Sequence, residues 1–492
     1  MLLTARNAWK NLKALAEARG ITASDPTHRQ DFTGETSAST DAIALDYRAA
    51  SITPPILQAL LALAQECNVD EWISALMTGY PVNASENKPA LHTALRVFDS
   101  EPIWVNGVDV VLDVKQVRAQ MRVISTQIRQ GEWLGFSGKP ITDVVNLGIG
   151  GSQLGPQFCM DALTDWVTDT LQFHFLSDMD SNAFRRTTQR LNPETTLFIV
   201  SSKSFTTQET LENAKRAFAW IGLENKAHFD KHFIAVTAFP QKAKAFGIEQ
   251  VCPIWDWVGG RYSVCSAISL ITCIGIGFDN FCALLQGANA MDKHFRTTDL
   301  ADNVPVLFAL LGIWNTNFLH THTVLMLTYA QSLQAFVPFI QQLEMESNGK
   351  SLDKQGRAVN YATAPIVWGG LGYQAQHSYY QLLCQGTHRI AVDLISVDSL
   401  DGGAVNRLCG AHQKILSQGY IEETDANRYI PGKMPLNHIQ LRDCTPHTIG
   451  SLIALYEHKV FVQGIIWNIN SFDQPAVESS KQLMRSKEEL LV

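Results

Sequence analysis

The chain has 492 residues, more than one compact core usually carries, so two or three domains are expected. Its 46% apolar and 17% charged composition excludes a disordered chain. A formal net charge of -8 leaves no basic excess to displace counterions, which excludes a dedicated nucleic-acid binder.

Residues 1–10 hold no sustained apolar run, so no signal peptide is expected. The first hundred residues read as mostly helical. Residues 144–152, Val-Val-Asn-Leu-Gly-Ile-Gly-Gly-Ser, read as a strand ending in a glycine turn, with a helix from about Gly155. Strands are also expected at 171–176, 197–200 and 233–237, with helical patterns between them. That alternation implies a doubly wound parallel sheet. Residues 262–278 and 304–314 are apolar enough to resemble membrane spans. The first is interrupted by Ser and Thr and the second is short, so both read as buried helices. A second sheet is expected from 365–368 and 390–395, surrounded by long helices that include 304–348. Nine scattered cysteines without paired spacing fit buried thiols in a reducing compartment rather than a disulfide or zinc framework. A cytoplasmic protein without a membrane partner is expected.

Residues 197–210 carry the clearest chemistry. Leu-Phe-Ile-Val runs into five hydroxyl side chains around Lys203 (Ser201, Ser202, Ser204, Thr206 and Thr207), and a helical pattern follows. Backbone N–H groups at a helix start, with hydroxyl and ammonium donors, make an anion site. A solvated loop with an ordinary N-cap has the same composition. The Walker pattern is absent. Gly148-Ile-Gly-Gly151-Ser152-Gln153 lacks the third small residue of a dinucleotide fingerprint, and Leu154 spoils a nucleophile elbow. It remains a glycine turn that lets Ser152 approach an anion. Gly370-Leu-Gly372-Tyr-Gln-Ala375, with Asp393 after the next strand, matches a dinucleotide fingerprint and competes with the anion-loop reading.

Glu344 and Glu346 close a helix before Asn348 and Gly349. Two residues apart, they point to nearly opposite faces, so only one can aim at a given site. A carboxylate at the negative end of a helix dipole is expected to have a raised pKa and to suit a general base, unless it pairs with Lys350. His377 suits proton transfer near neutral pH, and it also suits a hydrogen-bonded structural role. Arg261, after Gly259-Gly260, offers a fixed cation for developing negative charge or for an interdomain salt bridge. Lys481 lies on a helix opened by Pro475, with Glu478 as an ordinary i−3 partner. His320 and His322 sit in an apolar helical pattern and read as core, not as metal ligands.

The segments Asn146-Leu-Gly-Ile-Gly-Gly-Ser152, Ser202-Lys-Ser-Phe-Thr-Thr-Gln-Glu-Thr210, Val258-Gly-Gly-Arg-Tyr-Ser263, Met345-Glu-Ser-Asn-Gly-Lys350 and Gln376-His377 resemble the phosphoglucose isomerase family. Leu91-His92 with Ala94-Leu-Arg96 extends the likeness, and together these segments displace the dinucleotide reading of Gly370. The resemblance implies an α/β fold of two αβα sandwich (sugar-isomerase) domains with mainly parallel sheets and helical N- and C-terminal extensions. The smaller domain would span 110–275, and the larger 1–109 with 276–492. The implied activity is interconversion of glucose 6-phosphate and fructose 6-phosphate through a cis-enediol, without metal or cofactor. Ser152, Ser202, Lys203, Ser204 and Thr207 would hold the phosphate; Gly151, Gln342 and Gln474 would meet the sugar. Glu346 would move the proton, Arg261 stabilise the enediolate, and His377 with Lys481 assist ring opening. In the family the histidine reaches the partner subunit's site, which implies a homodimer with composite sites. The chain departs from the family pattern at Gly-Tyr-Gln-Ala-Gln before His377, at Cys384 and Ser204, and around Gln474 and Lys481. A sugar-phosphate sensor would need only the anion loop, so Glu346, His377 and Arg261 favour catalysis; side activity on mannose 6-phosphate stays open.

Overall fold

The computed structural model describes residues 2–19, 37–99, 101–222, 226–398, 403–421 and 425–488. Its strands in chain order are β1 (Ser37–Ser39), β2 (Ile43–Asp46), the hairpin β3 (Trp104–Val105) and β4 (Val108–Asp109), β5 (Asp143–Leu147), β6 (Gln172–Leu176) and β7 (Thr196–Ser201). They continue with β8 (Phe233–Thr237), β9 (Val251–Pro253), β10 (Thr323–Thr328), β11 (Ile366–Leu371), β12 (Ala391–Val397) and β13 (Leu436–Leu441). One sheet, in the order β6-β5-β7-β8-β9, is parallel throughout. The other, β1-β2-β13-β12-β10-β11, is parallel from β13 to β11 and takes β2 and β1 antiparallel at its edge.

Both sheets are buried on both faces, and the side-chain alternation shows why. In the first sheet Val144, Ile199 and Ile234 enter one core, whereas Val145, Phe198 and Phe233 enter another. In the second, Met326, Ile395 and Ile439 join the same first core, and Leu325, Leu394 and Leu436 a third. Successive strand residues face opposite ways, so helices must cover each side. One continuous apolar core therefore lies between the two sheets.

Two expectations need correction. The helical pattern over 304–348 breaks into a helix (Val304–Asn317), β10, and a second helix (Phe336–Gln341) that runs on into a π-helical turn (Gln342–Glu346). Because β10 is apolar on both faces, it carries no period-two signature. His320 and His322 are exposed in the loop entering β10, outside any helical core, and His320 has φ 55°. Among the described residues no cluster of His, Cys, Asp or Glu is arranged as a metal site. The first hundred residues are helical as expected (Asn7–Ala18, Pro54–Glu66, Val69–Met77) but also supply β1 and β2. The helix Pro446–Ile466 is long and apolar enough to span a bilayer, yet it is buried along its whole length inside this fold.

Candidate active site

The glycine turn and the hydroxyl loop leave the carboxyl ends of the parallel neighbours β5 and β7, so they open on the same edge of the sheet. A single buried amide braces them. Asn146 donates from Nδ2 to the Ser152 carbonyl at 3.0 Å and accepts from Ser201 Oγ at 2.9 Å. Asn146 was visible in the sequence only as one letter of a motif; its bracing role needs the parallel pairing of the two strands.

In the hydroxyl loop Ser202 Oγ donates to Thr207 Oγ1 at 3.1 Å, and Ser204 Oγ lies 2.8 Å from Thr206 Oγ1. Phe205 takes φ 50° with its side chain buried, which is strained for an aromatic residue. The strain turns Phe205 into the core between two hydroxyl residues that stay accessible. The helix Gln208–Ile221 starts directly after Thr207. Lys203 reaches the same region but has a protein partner: its Nζ donates to the Asp256 carbonyl at 2.8 Å and lies 3.5 Å from Asp256 Oδ1. Lys88 holds the other carboxylate oxygen at 2.5 Å. Burial pulls the Lys203 ammonium below its ordinary value, against the opposing pull of Asp256.

Opposite the glycine turn stand Arg261 and Glu346. A β-carbon at Gly151 would collide with the Gly260 carbonyl, so only glycine permits the two turns to touch. Gln342 Nε2 lies against Gly150 and donates to Glu346 Oε2 at 3.0 Å. Arg261 Nη1 is 3.5 Å from the same oxygen. The arginine side chain is 2% exposed and the glutamate 24%, so a fixed cation sits beneath a carboxylate that still reaches solvent. The remaining guanidinium donors are all engaged: Nε to Ser347 Oγ (2.7 Å), Nη1 to Gln474 Oε1 (2.9 Å), and Nη2 to the carbonyls of Ser471 (2.7 Å) and Asp473 (3.0 Å). Such a fork is a preorganised donor set for developing negative charge.

Lys350 does not pair with Glu346. It takes Asp473 Oδ1 at 2.7 Å and the carbonyls of Ser347, Asn470 and Asp473, fastening the C-terminal segment over the site. Behind Arg261, Tyr262 OH lies 3.0 Å from Ser347 Oγ, and the His92 ring centre lies 4.8 Å from that of the Tyr262 ring, tilted by 31°. Arg96, fully buried, grips both oxygens of Asp292 (2.6 and 2.7 Å) and Glu457 Oε2 (2.5 Å), while His458 Nε2 meets Asp292 Oδ1 at 2.7 Å. The upstream Leu91–Arg96 motif thus serves the core behind the site.

Two expected residues stand apart from this cluster. His377 is exposed in the turn after the helix Gly372–Ala375. Lys481 is exposed on the helix Pro475–Glu488 and lies 3.5 Å from Glu478. Among the described residues neither has a contact with Glu346 or Arg261. Gly372, before His377, has a packing duty: a β-carbon there would strike the Tyr329 ring, whose hydroxyl meets His412 Nδ1 at 2.7 Å. Asp393 is buried and accepts from Asn437 Nδ2 at 2.8 Å, so it is not exposed to meet a nucleotide.

The sequence model of the family described as phosphoglucose isomerase matches residues 46–429 and 407–491. The chain belongs to the phosphoglucose isomerase family. It is 53% identical over 451 residues to the glucose-6-phosphate isomerase of Legionella pneumophila (strain Lens), covering 92% of this chain and 90% of that protein. It is 44% identical over 494 residues to the glucose-6-phosphate isomerase of Hahella chejuensis, covering 94% and 87%. Its fold is similar to the crystal structure of a glucose-6-phosphate isomerase from Chlamydia trachomatis, with a TM-score of 0.89, 28% identity, and coverage of 100% of this chain and 97% of that one. Phosphoglucose isomerase membership fits a site with an anion loop, a carboxylate and a fixed cation on one rim.

Proposed function

We propose that this chain is an aldose–ketose isomerase that interconverts D-glucose 6-phosphate and D-fructose 6-phosphate at the cleft between the glycine turn, Arg261 and the π-turn. The observation that carries the reading is Glu346, half-buried, oriented by Gln342 and set 3.5 Å from a guanidinium already fixed by its neighbours. Ser152, Ser202, Lys203, Ser204 and Thr207 hold the phosphate, and Lys203 exchanges Asp256 for it. An anchored phosphate fixes the open chain so that one base can act repeatedly at neighbouring carbons. Glu346 removes the proton from C2 of the aldose and returns it to C1, through a cis-enediol. Negative charge grows on the substrate oxygens during that step, and Arg261 meets it without reorganising. Gly151, Gln342 and Gln474 orient the sugar.

Ring opening falls to His377, supplied across a homodimer so that every site is composite, with Lys481 nearby. The exposure of His377 and its separation from Glu346 within the chain support that arrangement. Mixing a Glu346→Gln protein with a His377→Ala protein, after subunit exchange, should restore part of the activity that each lacks; no recovery in a verified heterodimer contradicts composite sites. Residues 110–275 form the smaller, phosphate-binding domain, and 1–109 with 276–492 the larger. The scattered free cysteines support a cytoplasmic setting.

A coupled assay of fructose 6-phosphate conversion tests the activity. Wild type should turn over, and Glu346→Gln should lose about 10²–10⁴-fold in kcat, the range for a positioned acid–base group. A folded wild type without activity, or a fully active variant, overturns the reading.

A further inference from the structure

The residue that moves the proton sits on an unusual backbone. Gln342–Glu346 is a π-helical turn, continuing the helix Phe336–Gln341 with one extra residue per turn. Such turns are rare and occur mostly as single turns inside α-helices, so something in the surroundings must hold them. Glu344, in the middle of this turn, points away from Glu346 and into the protein. Its side chain is 1% exposed, and its Oε2 accepts from Lys459 Nζ at 2.6 Å; the lysine side chain is 3% exposed. Lys459 belongs to the buried helix Pro446–Ile466, its ammonium 5.0 Å from the centre of the Phe308 ring and 5.6 Å from that of Tyr456. Asp393 and Tyr456 complete the pocket; burial raises the Asp393 carboxyl to about 6.

A buried ion pair of this kind is a poor device for stability. Desolvating two charges offsets most of their attraction, and well-packed apolar replacements are often neutral or stabilising. What the pair does supply is direction. One end is bonded to the central helix of the fold, and the other to the residue two places from Glu346. We propose that Lys459 and Glu344 are positioning residues, a peg that holds the π-turn open so that Gln342 and Glu346 face the glycine turn and Arg261. Without the peg the turn can tighten toward α-helical geometry, which rotates Glu346 relative to Arg261 while leaving the phosphate loop on the other sheet untouched.

The inference rests on Glu346 being the base, so the experiment includes wild type and Glu346→Gln as references. The double variant Glu344→Leu with Lys459→Met removes both charges and keeps the volume apolar. It should fold, and its kcat for fructose 6-phosphate should fall at least tenfold, with KM within about threefold of wild type. Lys459→Arg, which keeps a cation for Glu344, should recover most of kcat. Should the double variant fail to fold, Lys459→Met, which removes the donor and leaves the Glu344 side chain in place, should show the same split of lowered kcat and steady KM. A folded double variant or Lys459→Met with kcat within twofold of wild type overturns the peg. An inactive wild type or an active Glu346→Gln overturns the isomerase reading instead, so the two failures are distinguishable.

Discussion

Arg261→Lys keeps the charge and removes the fork. In the structure the guanidinium donates to four acceptors, namely Ser347 Oγ, Gln474 Oε1 and the carbonyls of Ser471 and Asp473, and stands 3.5 Å from Glu346 Oε2. A lysine ammonium is a point donor on a flexible stem and cannot span acceptors spread around a plane. At least two of the four should lose their donor. Each stranded buried acceptor costs about 1–3 kcal/mol, so the local loss is about 2–6 kcal/mol. Lys350 still holds the Asp473 carbonyl and carboxylate, which lets the segment relax and favours the lower end. The kinetic loss is separate. Removing a preorganised donor from developing charge typically lowers kcat by about 10²–10³, equivalent to about 2.7–4 kcal/mol. The assay is steady-state turnover of fructose 6-phosphate, together with hydrogen exchange of residues 468–476. Lowered kcat, little change in KM and faster exchange in that segment are expected. A kcat within threefold of wild type would refute the role given to Arg261, whatever happens to exchange.

Further outcomes concern the phosphate loop and the core. Lys203→Ala should raise KM for the phosphorylated sugar by about tenfold or more, corresponding to about 1.4 kcal/mol of lost binding. Asp256→Asn, which removes the carboxylate charge 3.5 Å from Lys203 Nζ and keeps the backbone carbonyl it donates to, should lower KM; unchanged values in both variants would remove Lys203 from the phosphate site. Asp292→Asn should destabilise the fold by about 3–5 kcal/mol in urea titration, because Arg96 stays buried with one partner gone. Burial alone would raise the Asp292 carboxyl, but Arg96 and His458 outweigh it and hold it down at about 2. A carboxyl depressed on folding stabilises above its unfolded value of 3.8 and loses that contribution as pH falls toward 2. Wild type should therefore lose stability more steeply than the variant between about pH 4 and pH 2; parallel curves would contradict the assignment.

Much of the site was legible because its chemistry is local in sequence. The strand–turn–helix units of the first sheet, the hydroxyl loop and the opposite facing of Glu344 and Glu346 follow from periodicity within a dozen residues. What was hidden depends on partners far along the chain. β10 escaped notice because both its faces are buried, which erases alternation. The central helix Pro446–Ile466 escaped because Glu457, His458 and Lys459 interrupt its apolar run. Those three are neutralised in the core by Arg96, Asp292 and Glu344, at sequence separations of 361, 166 and 115. No window of sequence contains both members of such a pair, so charge in a buried helix reads as exposure.

The central claim is that Glu346 carries a proton between C2 and C1. Isomerisation of fructose 6-phosphate in deuterated water, followed by NMR of the product, tests it directly. Wild-type protein should give glucose 6-phosphate with solvent deuterium at C2, because an enediol intermediate lets the proton on the base exchange. Glu346→Gln should slow both product formation and deuterium exchange on the substrate by the same factor of about 10²–10⁴. Deuterium entering at the wild-type rate in the variant, or product from wild type with none, would contradict the account.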